Sequence, residues 1–469
     1  MTAAPPPPGS LRPVPRLPVA PALSPQQMVA SGLCIGCGAC AGAGMMGWDD
    51  FGQLEPPPAL PSEAFAALCP FSPAALDEDR IAAARFPAAL HDERLGRHVA
   101  TLVGAVAEPP FRERGSSGGM VSWVAAELLR TGRIDGVLHV HPGGAGEPFF
   151  GYRISRSVDA LLAGARSRYH PVHMADVLAE VRAVPGRYAV IGIPCFIKGV
   201  HLARAQDAVL AERITHMLGL FCGHMKSARF VTSFAWQLGA VPERVRAVEY
   251  RLKDKGRPAN LYTAHLTLDD GSTVQKDWPH LADGDWGAGY FMNAACNFCD
   301  DVVAETADIS FGDAWVEPYS FDGRGTNVVV VRSPELARMI ATAREEGRLD
   351  LRDVDADFVA ATQAAGFRQR REGLAFRLTW PRRGVQPLKR VAPSADLPWR
   401  RRMVYRTRAA ISRGSHQRAR RALAAGQPQI YLAWAWLIYR LYEALAYARG
   451  PLAGRIAQIA RQRGEPSAD

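Results

Sequence analysis

The sequence predicts a mixed α/β protein with a small cysteine-rich module before the core and a basic helical tail after it. Short apolar runs alternate with helical stretches between residues 97 and 350, which is typical of an α/β core with a largely buried sheet. Four of the eight cysteines lie between residues 34 and 69, ahead of this core. Thirteen Lys and Arg residues lie between Arg382 and Arg421, against one acid, Asp396. These three observations divide the chain into three parts.

The composition excludes several classes of protein. The chain has 469 residues, of which 48% are hydrophobic and 22% are charged, so it can bury two or three sizeable cores. This balance excludes a mostly disordered chain, a collagen-like chain and a small disulfide scaffold. No apolar run reaches the roughly 18 residues of a membrane helix, and the Pro-rich start lacks a secretory signal. We therefore expect a cytoplasmic protein.

The excess of basic residues is concentrated in one part of the chain. The net charge is +10, but nearly all of the excess lies in the tail, so the remainder of the chain is close to neutral. We therefore expect no specific nucleic-acid partner. An aromatic run after Pro428 gives the tail a second feature, which predicts a packed helical hairpin or a helix on a membrane surface.

The segment before the core has two predicted parts. Residues 1–24 are Pro-rich and are predicted to be disordered. Ser24, Pro25 and Gln27 have the pattern of an N-cap, a first-turn proline and a capping-box partner, which predicts a helix that begins at residue 25. Residues 25–90 are then predicted to form a ferredoxin-like module.

The first cysteine set consists of Cys34, Cys37, Cys40 and Cys69. Three of its members have C-x2-C-x2-C spacing, and the fourth precedes Pro70, as in ferredoxins. Small residues such as Gly36 and Gly38 let the backbone curl around a cluster and donate N–H groups to it. A zinc site usually shows two separated C-x2-C pairs instead. The first set therefore predicts a 4Fe-4S cluster.

The second cysteine set consists of Cys195, Cys222, Cys296 and Cys299. Cys195 and Cys222 each follow a β-like run, and the other two form a C-x2-C pair. Spacing alone leaves three interpretations open, namely a second cluster, a zinc site and buried core thiols.

The core predicts a series of strands and helices. A helix is predicted at 120–130, and the segment 247–274 predicts an antiparallel hairpin with a turn at 269–272. Residues 351–384 are predicted as a helical extension and residues 385–469 as the helical tail. The predicted core strands are 101–107, 136–140, 189–193, 217–221 and 327–331.

A small-residue turn at 115–119 lies just before the predicted helix. Its candidate ligand-binding residues are Ser116, Ser117, Gly118 and Gly119. Backbone N–H groups at such a turn, together with the helix dipole, favour a phosphate. A plain tight turn is the alternative interpretation.

Several segments taken together resemble the coenzyme F-420 hydrogenase/dehydrogenase β-subunit family, whose relatives include chlorophyll-pathway reductases. The resemblance covers about residues 30 to 350 in the family's order. It is carried by Arg-Gly-Ser-Ser-Gly-Gly at 114–119, Ile-Asp-Gly-Val at 134–137, Ala-Arg-Ser-Arg-Tyr at 165–169, Gly-Ile-Pro-Cys at 192–195, Phe-Cys-Gly-His at 221–224, Tyr-Arg-Leu-Lys-Asp-Lys at 250–255, and Cys-x-x-Cys at 296–299 leading into 307–315.

This resemblance implies FAD, iron–sulfur clusters and two-electron redox chemistry, with residues 97–350 as a mixed-sheet flavin domain. It favours the second cysteine set as ligands of a second 4Fe-4S cluster. Arg168, Lys198 and Asp313 join the 116–119 turn as candidate flavin contacts, and His224 is the candidate proton donor. The alternatives are ordinary ion pairs for Arg168 and Lys198, a capping role for His224 and a strand-end role for Asp313.

The resulting hypothesis is an iron–sulfur flavoprotein oxidoreductase. It would pass electrons between its clusters and FAD, and reduce or oxidise a small molecule or a deazaflavin. Ferredoxin or another redox donor is the expected electron partner, and the tail is the expected contact for a membrane surface or a protein. One alternative is an electron-transfer subunit that serves a separate catalytic partner. A zinc-stabilised binding protein without a redox role is the other.

Overall fold

The structure, a computed structural model, describes Leu11 and residues 21–144 and 147–463. Most of the segment 1–24 that was predicted to be disordered lies outside these residues. Its last residues are ordered, because Leu23 is buried and pairs with Ser62. Leu11 pairs with Val391, which lies in the segment that was predicted to be the tail.

The region before the core contains short elements. The predicted capping box is present, because the Ser24 hydroxyl accepts from the N–H of Gln27 at 3.3 Å and the Gln27 side chain accepts from the N–H of Ser24 at 2.7 Å. The elements are α1 (Pro25–Ala30), β1 (Gly47–Trp48), β2 (Leu54–Glu55), α2 (Glu63–Leu68), α3 (Glu78–Arg85), β3 (Leu90–Asp92) and β4 (Gly96–His98).

The core contains a large mixed sheet, as predicted. Its strands and helices are β5 (Ala100–Val106), α4 (Phe111–Arg114), α5 (Met120–Arg130), β6 (Gly136–Pro142), β7 (Phe150–Ser155), α6 (Val158–Ala163), α7 (Ala175–Ala183), β8 (Tyr188–Gly192), α8 (Pro194–Arg204), α9 (Ala208–Arg213), β9 (Ile214–Leu220), α10 (Arg229–Gln237), β10 (Val245–Glu249), β11 (Thr263–Leu268), β12 (Thr273–Asp277), β13 (Ile309–Asp313), β14 (Asn327–Val331), α11 (Pro334–Glu345) and β15 (Leu349–Asp353).

Within the described residues, eight strands form this sheet in the order β15-β5-β14-β13-β9-β8-β6-β7. The central pairs β13–β9, β9–β8 and β8–β6 are parallel, and the flanking pairs are antiparallel. The five predicted core strands correspond to β5, β6, β8, β9 and β14, and the predicted helix at 120–130 is α5. Strands β10, β11 and β12 form a separate antiparallel sheet that contains the predicted hairpin.

The sheet extends past the predicted core boundary at residue 350. Strand β15 forms one edge of the sheet through an antiparallel pairing with β5, and its Leu349 and Leu351 are buried. One apolar core lies between the sheet and helices α5 and α11, around the fully buried Trp123. The opposite face packs against α8 and the region before the core, so the first cysteine set lies on that face.

The tail forms helices that pack on the core, which agrees with the packed alternative of the two that the sequence left open. The Ser415 hydroxyl accepts from the N–H of Phe291 at 2.8 Å, and the Tyr431 hydroxyl donates to Asp283 at 2.8 Å. The long basic helix therefore covers the segment that leads to Cys296. The C-terminal helices are α12 (Ala356–Thr362), α13 (Ala364–Arg370), α14 (Glu372–Leu378), α15 (Trp399–Ala425), α16 (Gln429–Tyr447) and α17 (Ala453–Gln462).

Among the residues that the structure describes, no helix is both long enough and apolar enough to span a membrane.

Candidate functional site

The four cysteines of the first set line one cavity. Cys34, Cys37 and Cys40 lie on the loop that follows α1, and Cys69 lies at the C-terminal end of α2. The remaining lining consists largely of apolar side chains such as Met28. The structure therefore brings the C-x2-C-x2-C run and the distant cysteine to the same site.

Glycines shape the loop around this cavity. Gly36 and Gly38 have φ values of +72° and +76°, in the left-handed region that favours glycine. A Cβ on Gly36 would lie only 2.6 Å from the carbonyl oxygen of Leu54, so a larger residue does not fit. Burial raises the pKa of Cys34, and the backbone of Gly36 opposes this rise. The backbone therefore curls around the cavity and lies close to the sulfur of Cys34.

The charge balance of the first set fits a bound metal group. Burial raises the pKa of Cys34 and of Cys40 to about 12, and it raises the pKa of Cys37 and Cys69 as well. Such thiols are protonated near pH 7 unless a positive charge lies beside them. Because metal binding supplies that charge and displaces the protons, this donor set suits a thiolate-ligated metal group.

The four cysteines of the second set also face one another. Cys195 lies in the first turn of α8, Cys222 follows β9, and Cys296 lies on a 3₁₀ helix (Ala294–Phe298) that ends before Cys299. Burial raises the pKa of Cys195, and the charges of Cys299, Cys222 and Cys296 raise it further. Residues from three separate stretches of chain therefore meet at one place.

The second set resembles the first in two respects, namely a backbone N–H group near sulfur and thiol pKa values that burial raises. The N–H of Met225 donates to the Cys296 sulfur at 3.3 Å. Burial raises the pKa of Cys296 to about 12 and that of Cys299 to about 11. Within the described residues, no three His, Cys, Asp or Glu side chains have the arrangement that one metal ion would need.

Helix α8 joins the two cysteine sets. Cys195 is its second residue, and Gly199 lies about one turn further along. A Cβ on Gly199 would lie 3.8 Å from the Sγ of Cys37 and 3.7 Å from the Cβ of Ala39. The charge of Cys37 also acts on the pKa of Cys195. The two sets are therefore neighbours across one helix.

The 116–119 turn lies at the N-terminal end of α5, with the short α4 between it and β5. The Ser116 hydroxyl accepts from the N–H of Ser167 at 2.7 Å, and the Ser117 hydroxyl donates to the carbonyl of Thr326 at 3.0 Å. Within the described residues, none of the backbone N–H groups from Ser116 to Gly119 donates to a protein acceptor. These N–H groups can therefore donate to an anion at the start of α5.

Two residues that sequence reasoning did not select hold this turn in place. The Lys253 ammonium donates to the carbonyls of Arg112 at 2.6 Å and Ser117 at 3.0 Å, and burial lowers its pKa to about 8. The Asn327 side chain accepts from the N–H of Met120 at 3.1 Å. The sequence could have pointed to Lys253, because this residue lies in the 250–255 segment that carries the family resemblance. Nothing in the sequence pointed to Asn327.

Arg168 lies beside the turn but is directed at an acid. Its neighbour Ser167 binds Ser116, which places this segment against the turn. The Arg168 guanidinium donates to Glu249 at 3.1 Å and lies over the ring of Phe150 at 5.1 Å. Its Nε is buried without a hydrogen-bond partner among the described residues.

Lys198 lies away from the turn, in contrast to the sequence-based expectation. Its ammonium donates to both carboxylate oxygens of Glu78, at 3.1 and 3.2 Å. It lies on α8 near Cys69, whose pKa its charge lowers. The sequence could not show this, because Glu78 is 120 residues away in the chain. Lys198 therefore belongs to the surroundings of the first cysteine set.

His224 is buried, whereas Asp313 is partly buried and binds an arginine that lies over an aromatic ring. Asp313 ends β13 and accepts from Arg251 at 2.9 Å, and the Arg251 guanidinium lies 4.2 Å from the ring centre of Tyr262. His224 stacks on Trp286 with ring centres 4.2 Å apart, and neither ring nitrogen has a partner among the described residues. Burial and nearby cations lower the pKa of His224, so its imidazole is neutral near pH 7.

Comparison with known proteins places this architecture in a family. Residues 101–179 match the family model described as the N-terminal part of the coenzyme F-420 hydrogenase/dehydrogenase beta subunit. Residues 186–357 match the model that describes the C terminus of the same beta subunit. Together the two models cover just over half of the chain. These matches define a redox subunit of the oxidoreductase class. The chain belongs to the coenzyme F-420 hydrogenase/dehydrogenase β-subunit family, as the resemblance implied.

One solved structure and the curated proteins complete the comparison. The chain is similar to a chain of the xenon-derivatised F-420-reducing NiFe hydrogenase complex from Methanosarcina barkeri. The identity is 17% and the TM-score is 0.46, and the match covers 60% of this chain and 92% of that one. No curated protein matches the chain.

Proposed function

We propose that this chain is an iron–sulfur flavoprotein oxidoreductase that carries two 4Fe-4S clusters and FAD. Each cysteine set supplies four thiolates to one cluster, and the 116–119 turn binds the flavin phosphates. The chain passes electrons between the clusters and FAD, and reduces or oxidises a small molecule or a deazaflavin. The family membership supports the redox role, and the arrangement of the thiols supports the clusters.

The observation that carries the proposal is the position of α8 between the two cysteine sets. Its first turn presents Cys195 to the second set, and Gly199 lies against Cys37 of the first set. Glycine at this position lets the helix backbone approach the first set closely. Two cofactor sites in such contact suit electron transfer, whereas two structural zinc sites would not need to adjoin.

The chain's own residues would bind and orient these cofactors. Bound clusters pass single electrons, and a bound flavin converts them into two-electron hydride chemistry. Lys253 and Asn327 hold the 116–119 turn so that its N–H groups face the phosphates. Aromatic rings pack against Arg251 and His224 and shield both side chains from water. His224, with its neutral ring, can donate one N–H hydrogen bond to a bound group.

A second candidate function is an electron-transfer subunit that serves a separate catalytic partner. The observation in its favour is the exposed apolar surface of α16, where Trp436 is 42% exposed and Leu437 is 68% exposed. Large apolar side chains that remain exposed are typical of protein interfaces. Turnover of a substrate by the isolated chain would favour the first candidate over the second.

Cofactor content tests the proposal directly. The chain is purified without oxygen and assayed for iron, acid-labile sulfide, zinc and flavin. We expect about eight iron atoms and one flavin per chain, with the broad visible absorption of iron–sulfur clusters. Stoichiometric zinc without iron or sulfide would contradict the proposal and would favour the zinc-stabilised alternative.

A further inference from the structure

Arg370 is a buried arginine whose guanidinium lies between two loops of the second cysteine set. It ends α13 and is 2% exposed. One guanidinium nitrogen donates to the carbonyl of Gly223 at 3.0 Å, and the other donates to the carbonyl of Asp301. Gly223 follows Cys222 directly, and Asp301 follows Cys299 by two residues. The charge is therefore fixed beside both loops.

Among the described residues, the charge of Arg370 has no carboxylate partner. Within residues 21–144 and 147–463, no acid side chain lies at salt-bridge distance from its guanidinium. The equally buried Arg390, by contrast, donates to both oxygens of Glu305 at 2.7 and 3.0 Å. An arginine stays protonated in proteins, and a buried charge without a counter-charge is strongly destabilising. An anionic group at this place would therefore stabilise Arg370.

The carbonyls that bind Arg370 lie next to Cys222 and two residues after Cys299, so its guanidinium lies close to the second cysteine set. Burial raises the pKa of Cys222, Cys296 and Cys299, and the charge of Arg370 opposes this rise. Three members of the second cysteine set thus lie near one guanidinium. Neutral thiols cannot balance its charge, whereas thiolates that hold a cluster can.

We propose that Arg370 is a positioning residue that raises the reduction potential of the cluster held by the second cysteine set. This inference rests on the proposed function, in which that set holds a 4Fe-4S cluster. The potential of such a cluster depends on the local charge and on hydrogen bonds to its sulfurs. A fixed positive charge stabilises the reduced state, because that state carries one more negative charge.

The neighbouring arginines show which variant can serve as a control. Arg377 is as buried as Arg370 and donates to the carbonyl of Asn297, which lies between Cys296 and Cys299. The charges that act on Arg377 come from Arg408, Tyr405 and Arg370, and not from a cysteine. Arg377 therefore holds the same loop without facing the sulfurs. Both arginines lie beyond residue 357, where the family match ends.

The test compares Arg370→Gln, Arg370→Lys and Arg377→Gln in the full-length chain. Iron per chain is measured first, and an anaerobic redox titration followed by electron paramagnetic resonance then gives the potential of each cluster. For Arg370→Gln we expect the reduced-to-oxidised ratio of the second cluster at a fixed potential to fall about tenfold, which equals a shift of about 59 mV for one electron. The first cluster serves as an internal reference and should not shift. Arg370→Lys keeps the charge and should stay near the wild-type potential, as should Arg377→Gln.

Every other outcome has a definite meaning. If Arg370→Gln loses the second cluster while Arg370→Lys and Arg377→Gln retain it, the requirement for the charge is supported. An unchanged potential in Arg370→Gln would overturn the inference, as would equal iron loss from all three variants. A wild-type chain with only four iron atoms would overturn the proposed two-cluster function itself, and with it this inference.

Discussion

The backbone of Gly199 lies against the thiol of Cys37, so that a Cβ on Gly199 would be 3.8 Å from its Sγ. Gly199 belongs to the same helix as Cys195, which faces the second cysteine set. This contact joins two parts of the chain that are about 160 residues apart in sequence. It makes the two cysteine sets neighbours, and the account of electron transfer depends on it.

The size of the residue at position 199 should therefore determine whether the first cluster can bind. Gly199→Ala adds one carbon at ordinary contact distance and should keep all of the iron, with a gain in helix stability of up to about 1 kcal/mol. Gly199→Leu adds three more carbons, which meet Cys37, Ala39 and Pro70. It should lower iron by about four atoms per chain. Iron analysis of the two variants is the measurement, and a fully loaded Leu variant would contradict the predicted contact.

The 116–119 turn should control flavin binding. A Cβ on Gly118 would lie 2.8 Å from both the Asn327 side chain and the Gly104 carbonyl, so Gly118→Ala must displace the turn. We expect flavin affinity to fall by about 1–3 kcal/mol, which is typical of overpacking, while iron content stays unchanged. Gly151→Ala is the control, because its Cβ meets no atom within 4 Å. Equal flavin content in both variants would mean that the turn is not part of the flavin site.

The tail should stabilise the core through contacts with buried acids. Arg390 binds Glu305 and lies 3.4 Å from Asp300, next to the second cysteine set. Arg390→Met removes the nearest cation from these buried acids, which keep only the longer contacts of Glu305 with Arg371 at 3.7 Å and of Asp300 with Lys389 at 3.8 Å. The change should cost about 3–5 kcal/mol of unfolding free energy. The exposed Arg383 provides the control. Chemical denaturation of both Met variants is the measurement, and equal stabilities would show that the tail contributes little.

Acid should destabilise the fold through its buried histidines. His170 is buried against Phe150 and contacts the Tyr250 hydroxyl at 3.3 Å, and burial lowers its pKa to about 3. Its pKa is about 6.5 in the unfolded chain. The neutral ring therefore favours folding fully above pH 6.5, and this contribution is lost as the pH falls towards 3, by about 1.4 kcal/mol per pH unit.

The variant that tests this pH dependence is His170→Gln. Between pH 6.5 and 4.5, the unfolding free energy of this variant should fall less steeply than that of the wild type. The difference should be about 1.4 kcal/mol per pH unit, which is the contribution of one proton. His91→Gln is the control, since His91 is exposed. Chemical denaturation at several pH values is the measurement. If the unfolding free energy changed with pH equally in both variants, His170 would not be buried in its neutral form.

Local features of the fold were predictable, and long-range ones were not. The capping box at Ser24 and the helix that begins at Met120 depend on neighbouring residues, so the sequence showed them. Strand β15 has only two buried residues, and it belongs to the sheet because it pairs with β5, which lies about 250 residues earlier. The Lys198–Glu78 pair and the position of Arg370 likewise depend on contacts between distant segments. Spacing identified the eight cysteines, but only folding brings the second set together.

If the chain holds two separate clusters, each should be lost independently of the other, and the iron content of two cysteine variants measures this. Cys37→Ser should lower iron from about eight to about four atoms per chain, and the double change Cys296→Ser, Cys299→Ser should do the same. The two variants should retain different electron paramagnetic resonance signals, because each loses a different cluster. Flavin should remain bound in both. Full iron content in the double variant would contradict the account, since these cysteines would then be structural thiols and the chain would carry one cluster.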